Sequence, residues 1–157
     1  MSFWFKAALC VLVVELLGNA SGLVTLLSVD GWYDALRRPP GTPPDQVFGP
    51  VWLVVYAMMG LALALVWDCS ADTGLKRRAL RWFALQFGLN LLWTPVFFGL
   101  QRIDLAFFVI LPLLFAIGMT IRAVGSLSRA AAVLLLPYLG WVAYASYLNA
   151  GFWILNR

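Results

Sequence analysis

Three sets of residues have the types and spacing to hold a ligand. Gln86, Asn90, Trp93 and Phe97 recur at offsets of four, three and four, which places them on one face of a helix. Trp52, Tyr56 and Met59 do the same, as do Tyr138, Trp141, Ala145 and Leu148, with Asn149 one step round. Indole and phenol rings offer broad stacking area and a hydrogen-bond donor, and amides add a few polar partners. Brought together, such faces suit a large, flat, apolar guest. The same residues equally suit helix packing, because Asn and Gln bond across neighbouring helices and Trp and Tyr mark membrane interfaces. Spacing alone leaves both readings open.

Other chemistries find little support. The chain has no histidine, which excludes His-ligated haem, His-bearing zinc sites and Ser-His-Asp or Cys-His catalysis. Cys10 and Cys69 lie in an expected span and at a span end, and form neither a disulfide framework nor a CxxC site. Glu15 is the only acid deep in an apolar run, with Asn19 and Gly22 on its face. An intramembrane carboxyl is a functional candidate; the plainer alternative is a protonated group bonded to a neighbouring helix. Gly18 and Gly22 have the GxxxG spacing that permits close helix approach.

The elements that must position these residues follow from composition. Of 157 residues, 63% are hydrophobic and 11% charged, far from the balance of a water-soluble domain. Five mostly apolar stretches run from about Phe3 to Leu27, Val47 to Trp67, Ala79 to Gly99, Leu105 to Ile121 and Ala130 to Trp153. About 20 such residues cross a hydrocarbon core, and lipid offers no partner for the backbone, so each is expected to be helical. The expectation is an all-α integral membrane protein, a multi-pass bundle of five transmembrane helices forming a single domain over 1–157. Lys6, Lys76, Arg77, Arg78, Arg81, Arg122 and Arg129 fall on the N-terminal side, against Arg37, Arg38, Arg102 and Arg157 on the other. That bias puts the N-terminus in the cytoplasm if the protein sits in an inner membrane. Scattered between apolar runs, these charges read as contacts with the lipid bilayer; no continuous patch for nucleic acid exists.

The one long connection, 28–46, is rich in proline. Pro39, Pro40, Pro43 and Pro44 fix their own φ and keep their predecessors extended, giving a stiff loop that is cheap to order over a ligand. Trp32 and Tyr33 are placed to turn their rings onto the bundle mouth, and Asp34 with Arg37 or Arg38 to tie the loop down. A linker of unusual composition is the alternative.

The stretch WYDALRRPPGTPPDQVFGPVW, from Trp32 to Trp52, resembles the loop block of the TspO/MBR family, the tryptophan-rich sensory proteins, translocator proteins or peripheral benzodiazepine receptors. Two further blocks agree: Gln86 to Gly99, with Asn90, Trp93, Thr94, Pro95, Phe97 and Phe98 at matching places, and Pro137 to Asn149, with Tyr138, Trp141, Tyr144, Ala145 and Leu148. The resemblance implies a five-helix bundle, often a homodimer, whose cavity under the first loop binds porphyrins and other tetrapyrroles, sterols in some members, and isoquinoline or benzodiazepine drugs. Carried over by position, Tyr33 and Pro43 match the lid, Trp52 and Tyr56 the second-span pocket, Asn90 and Trp93 the third-span wall, and Trp141 and Ala145 the fifth. Trp52 and Trp141 also match the tryptophans implicated in light- and oxygen-dependent breakdown of protoporphyrin.

Two departures stand out. Gly41 replaces a loop tryptophan of many relatives, and no Lys or Arg follows the C-terminal tyrosines until Arg157, which disfavours a sterol. The expected function is a membrane receptor for porphyrins such as protoporphyrin IX or haem, as ligand rather than required cofactor, with a sensory or regulatory role that extends to transport. Trp-dependent photo-oxidative degradation of the porphyrin, through Trp52 and Trp141, is the alternative. A structural membrane subunit without ligand is the third. No acid-base pair, metal cluster or nucleotide fingerprint supports ordinary catalysis, and no inverted repeat supports a secondary transporter.

Overall fold

The computed structural model describes residues 1–26 and 29–157. Leu27, the expected end of the first span, and Ser28, the expected start of the loop, lie outside the described residues. Six α-helices account for most of the rest: α1 (Phe3–Leu26), α2 (Phe48–Asp68), α3 (Thr73–Thr94), α4 (Ile103–Gly125), α5 (Arg129–Leu134) and α6 (Leu136–Leu155). A π-helical turn covers Val29–Tyr33, a 3₁₀ turn Asp45–Val47 leads into α2, and a second π turn, Pro95–Gly99, closes α3.

Five helices were expected and six are present. The fifth apolar stretch is broken at Leu135, because Pro137 has no amide to donate and its ring is incompatible with the carbonyl four residues earlier. The proline is tolerated because it falls in the first turn of α6, where an amide has no intrahelical partner. The Leu135 amide instead bonds back to the carbonyls of Ala132 and Val133, closing α5.

Four segments are long and apolar enough to cross a membrane: Phe3–Leu23, Asp45–Asp68, Ile103–Gly125 and Arg129–Leu155, the last spanning α5 and α6 together. The third expected span, in α3, is not among them. Its first turns carry Lys76, Arg77, Arg78 and Arg81, and its apolar part is interrupted by Gln86 and Asn90. Asp72 caps α3, accepting from the amides of Gly74 and Leu75 at 2.8 and 3.1 Å.

Packing is pairwise, with α1 on α2, α3 on α4, α4 on α6, and α5 wedged against α2 and α4. Met59, Ile117 and Tyr138 sit at the centre. Leu12, Leu16, Leu53, Val54, Phe108 and Phe115 point outward from the bundle, an apolar exterior suited to lipid. At the N-terminal end Lys6 clamps α1 to the end of α2 through Asp68 at 2.7 Å.

Two glycines set how closely α1 and α2 approach. A Cβ on Gly60 would lie 2.5 Å from the Val11 Cα, and one on Gly18 would lie 2.4 Å from the Tyr56 ring. Gly22, the other half of the GxxxG spacing, has nothing within 4 Å, so only Gly18 of that pair serves close approach among the described residues. Gly60→Ala is therefore expected to push α1 off α2 and cost about 1–3 kcal/mol, since the obstacle is backbone. Gly22→Ala should leave the melting temperature unchanged or slightly raised, and thermal unfolding of the two variants in detergent checks the contrast.

Candidate functional site

The polar residues of the expected faces are buried and joined across helices. Tyr56 Oη of α2 donates to Asn90 Oδ1 of α3 at 3.0 Å. Tyr138 Oη of α6 donates to Gln86 Oε1 of α3 at 2.8 Å. Trp93 Nε1 donates to Asn149 Oδ1 of α6 at 3.0 Å, and Asn149 Nδ2 donates in turn to the Ile103 carbonyl at the start of α4 at 2.9 Å. In a low-dielectric interior each such bond replaces a costly unpaired group. Helix-to-helix bonding therefore describes what these three pairs do.

Around these bonds the rings form two aromatic groups. In the first, Trp52 stacks on Tyr56 with centroids 5.2 Å apart and meets Tyr138 edge-on at 6.4 Å; Trp141 lies outside it, edge-on to Phe48 at 5.8 Å and leaning on Tyr144 at 6.0 Å, both of which pack against the second. In the second, Trp93 stacks on Phe97 at 5.0 Å, and Phe97 also touches Trp32, Tyr33 and Phe152. Trp93 packs against the cores of both groups and joins them, while Ala145 lies against the first. Trp52, Trp93 and Trp141 are all half-buried; the first two stack on neighbouring rings, whereas Trp141 meets its neighbours edge-on or tilted. Two open grooves, of about 510 and 540 Å³, lie on other faces and are lined by none of these residues.

Two buried groups break the pattern of satisfaction. Trp141 Nε1 and Gln86 Nε2 are buried and have no hydrogen-bond partner among the described residues. An unmade bond of this kind costs about 1–3 kcal/mol.

The proline-rich loop packs Trp32, Tyr33 and Leu36 into the second group and is held by one face of α6. Tyr144 Oη donates to the Gly41 carbonyl, Tyr147 Oη donates to the Pro40 carbonyl at 3.0 Å, and Asn156 brackets Arg37, accepting from its amide at 2.8 Å and donating to its carbonyl at 3.0 Å. Pro39 is buried against Gly151, where a Cβ would come within 2.5 Å of the Pro39 Cβ. A turn over Pro39–Thr42, closed by the Thr42 amide on the Pro39 carbonyl at 3.2 Å, leaves the Pro40 and Gly41 carbonyls for the phenols, and residues three apart on α6 meet them in turn. Gly41 has φ +84°, so a residue with a side chain, tryptophan included, would be strained on this backbone.

The loop is also tied to itself. Arg38 bonds Asp45 at 2.9 Å and Asp34 at 3.0 Å, and its guanidinium lies 4.9 Å from the centre of the Tyr33 ring. The hydrogen bond that Arg38 donates to Asp45 raises the Arg38 pKa above its ordinary value. Burial pushes the Tyr33 phenol up, with the Arg38 charge opposing, so Tyr33 stays neutral.

With this geometry the comparisons agree. The model of the TspO/MBR family matches residues 10–154. The chain belongs to the TspO/MBR family. It is 37% identical to the "Tryptophan-rich protein TspO" of Archaeoglobus fulgidus, over 96% of this chain and 97% of that one. It is 38% identical to the "Tryptophan-rich sensory protein" of Cereibacter sphaeroides, over 79% and 76%, and 37% identical to the "Translocator protein" of Homo sapiens, over 80% and 75%. Membership and the four apolar segments make the chain an integral membrane protein.

Of the residues singled out from sequence, Trp52, Tyr56 and Ala145 come together in the first group, and Trp32, Tyr33 and Trp93 in the second, with Asn90 bonded to Tyr56; Trp141 stands apart from the first, beside Phe48 and Tyr144. Pro43 is half-buried in the loop just before the 3₁₀ turn. Glu15 does not bond a neighbouring helix in the way its plainer reading expected; its carboxylate accepts from Asn19 on its own helix at 2.8 Å. Sequence reasoning passed over Tyr147, Gly151 and Asn156 as loop anchors. Their signal was a stripe continuing the Tyr144 face.

Removing both phenol bonds in Tyr144→Phe/Tyr147→Phe should loosen the loop by about 2 kcal/mol, at about 1 kcal/mol each. Hydrogen exchange at the Arg37 and Thr42 amides is then expected to quicken roughly 30-fold, with α3 and α4 unchanged.

Proposed function

We propose that this chain is a multi-pass receptor of a bacterial-type cell membrane that binds porphyrins and related tetrapyrroles beneath the proline-rich loop, with a sensory or regulatory output and a role in their movement, acting as a homodimer. Its relatives carry the names "sensory protein" and "translocator protein". In this reading α3 is a fifth crossing segment. Its 22 residues cover about 33 Å, and it lies antiparallel to α4, the two joined by a short connection.

The observation that carries the proposal is the unpartnered indole N–H of Trp141, buried beside Phe48 and Tyr144 under the Gly41 segment. A helix-packing role alone gives no use for it, whereas a guest with acceptor groups at its edge would satisfy it. Gln86 Nε2 offers a second donor. Because Trp52 stacks on Tyr56 and Trp141 is packed against Phe48 and Tyr144, binding a macrocycle requires the loop to lift and these rings to part from their neighbours. The Pro39–Thr42 segment of the loop is attached by a few hydrogen bonds and one proline contact, a low barrier for its local opening, while Trp32 and Tyr33 stay seated against Phe97.

Titrating the purified protein in detergent with protoporphyrin IX tests this by tryptophan fluorescence. Saturable quenching is expected, weakened about tenfold or more in Trp141→Ala, equivalent to about 1.4 kcal/mol of lost stacking and hydrogen bonding. Trp4→Phe, at the exposed N-terminal end, should bind as the parent does. Quenching that never saturates, or an unchanged affinity in Trp141→Ala, would remove the site.

A further inference from the structure

On the face opposite the loop, a groove of about 540 Å³ follows the first turns of α3, lined by Gly74, Arg77, Arg78, Arg81, Trp82 and Leu85. Its chemistry is divided along its length. At the membrane edge stand three exposed guanidiniums, and one to two turns further in come an indole and an exposed leucine. The Trp82 ring is fixed edge-on against Phe115 of α4 at 6.1 Å, so the apolar half rests on the bundle.

The three arginines have no counter-charge. Among the described residues none of them forms an ion pair. The two acids of the α2–α3 connection are engaged elsewhere, Asp68 with Lys6 and Asp72 with the amides of Gly74 and Leu75. Lys76 turns away to donate to the Trp67 carbonyl at 3.1 Å. Arg77 and Arg78 stand four and three residues before Arg81, between Gly74 and Leu85, so all three line one strip of the helix. Guanidinium groups match phosphate oxygens two at a time, and a basic pocket at the edge of a membrane helix favours an acidic headgroup.

We propose that this groove is a binding site for an acidic phospholipid, its phosphate among Arg77, Arg78 and Arg81 and an acyl chain along Trp82 and Leu85. A soluble anion would use the arginines but leave the apolar half without a role. The site is separate from the one beneath the loop and does not depend on tetrapyrrole binding.

The full chain, delipidated in detergent, is titrated with phosphatidylglycerol, with phosphatidylcholine of the same acyl chains, and with inorganic phosphate, and bound lipid is counted by native mass spectrometry alongside the thermal shift. Phosphatidylglycerol is expected to bind about tenfold more tightly than phosphatidylcholine and to raise the melting temperature, with phosphate alone giving no comparable shift. Arg77→Gln/Arg81→Gln should abolish the preference, while Arg129→Gln, on the same side but outside the groove, should keep it. Leu85→Gln, which leaves the charges intact, should weaken retention of phosphatidylglycerol. Equal binding of the two lipids, a preference that survives the double substitution, or a full shift with phosphate alone would overturn the proposal.

Discussion

A polar side chain inside hydrocarbon has no solvent to turn to, and that constraint organises the centre of this molecule. Three hydrogen bonds, from Tyr56 to Asn90, from Tyr138 to Gln86 and from Trp93 to Asn149, connect α3 to α2 and α6. Asn149 passes the connection on to the first carbonyl of α4. Each bond also fixes the rotation of a helix, so the aromatic residues on the same faces are aimed inward. Without these bonds α3 would have little to orient it, since its own apolar character is the weakest among the long helices.

The helix α6 does two jobs on different faces. Tyr138, Val142, Ser146, Asn149 and Phe152 are buried in the bundle. Tyr144, Tyr147, Gly151 and Asn156 hold the loop backbone. Trp141 lies near the boundary between them, which is why a change in the loop would be felt at its indole. The loop contributes stiffness from its prolines and from the Arg38 pairs with Asp34 and Asp45. Exposed pairs of this kind add little stability, so their effect is on shape.

The two ends of the bundle differ in chemistry. The loop end buries aromatic rings beneath a cross-braced cover, while the other end exposes arginines beside an apolar strip. A planar macrocycle and an acidic lipid make opposite demands, stacking in one case and charge with a chain-length groove in the other. In the two proposals the length of α3 separates the sites.

The sequence by itself determined the all-helical class, the integral-membrane character and the family. Those rest on local quantities: long apolar runs, prolines that stiffen a connection, and three ordered blocks of residues. It also placed Gln86, Asn90 and Trp93 on one face, because a 3.6-residue period needs no partner to be visible. Tertiary structure decided the rest. Pro137 divides the last span, and only the carbonyl partners of Leu135 show that the chain restarts as a separate helix. Nothing local could tell that Asn90 is satisfied by Tyr56 while the Trp141 N–H is left alone, or that Asn156 reaches across 119 residues to hold Arg37. Such pairings depend on how rigid helices rotate and seat against each other, and a one-dimensional pattern does not record that.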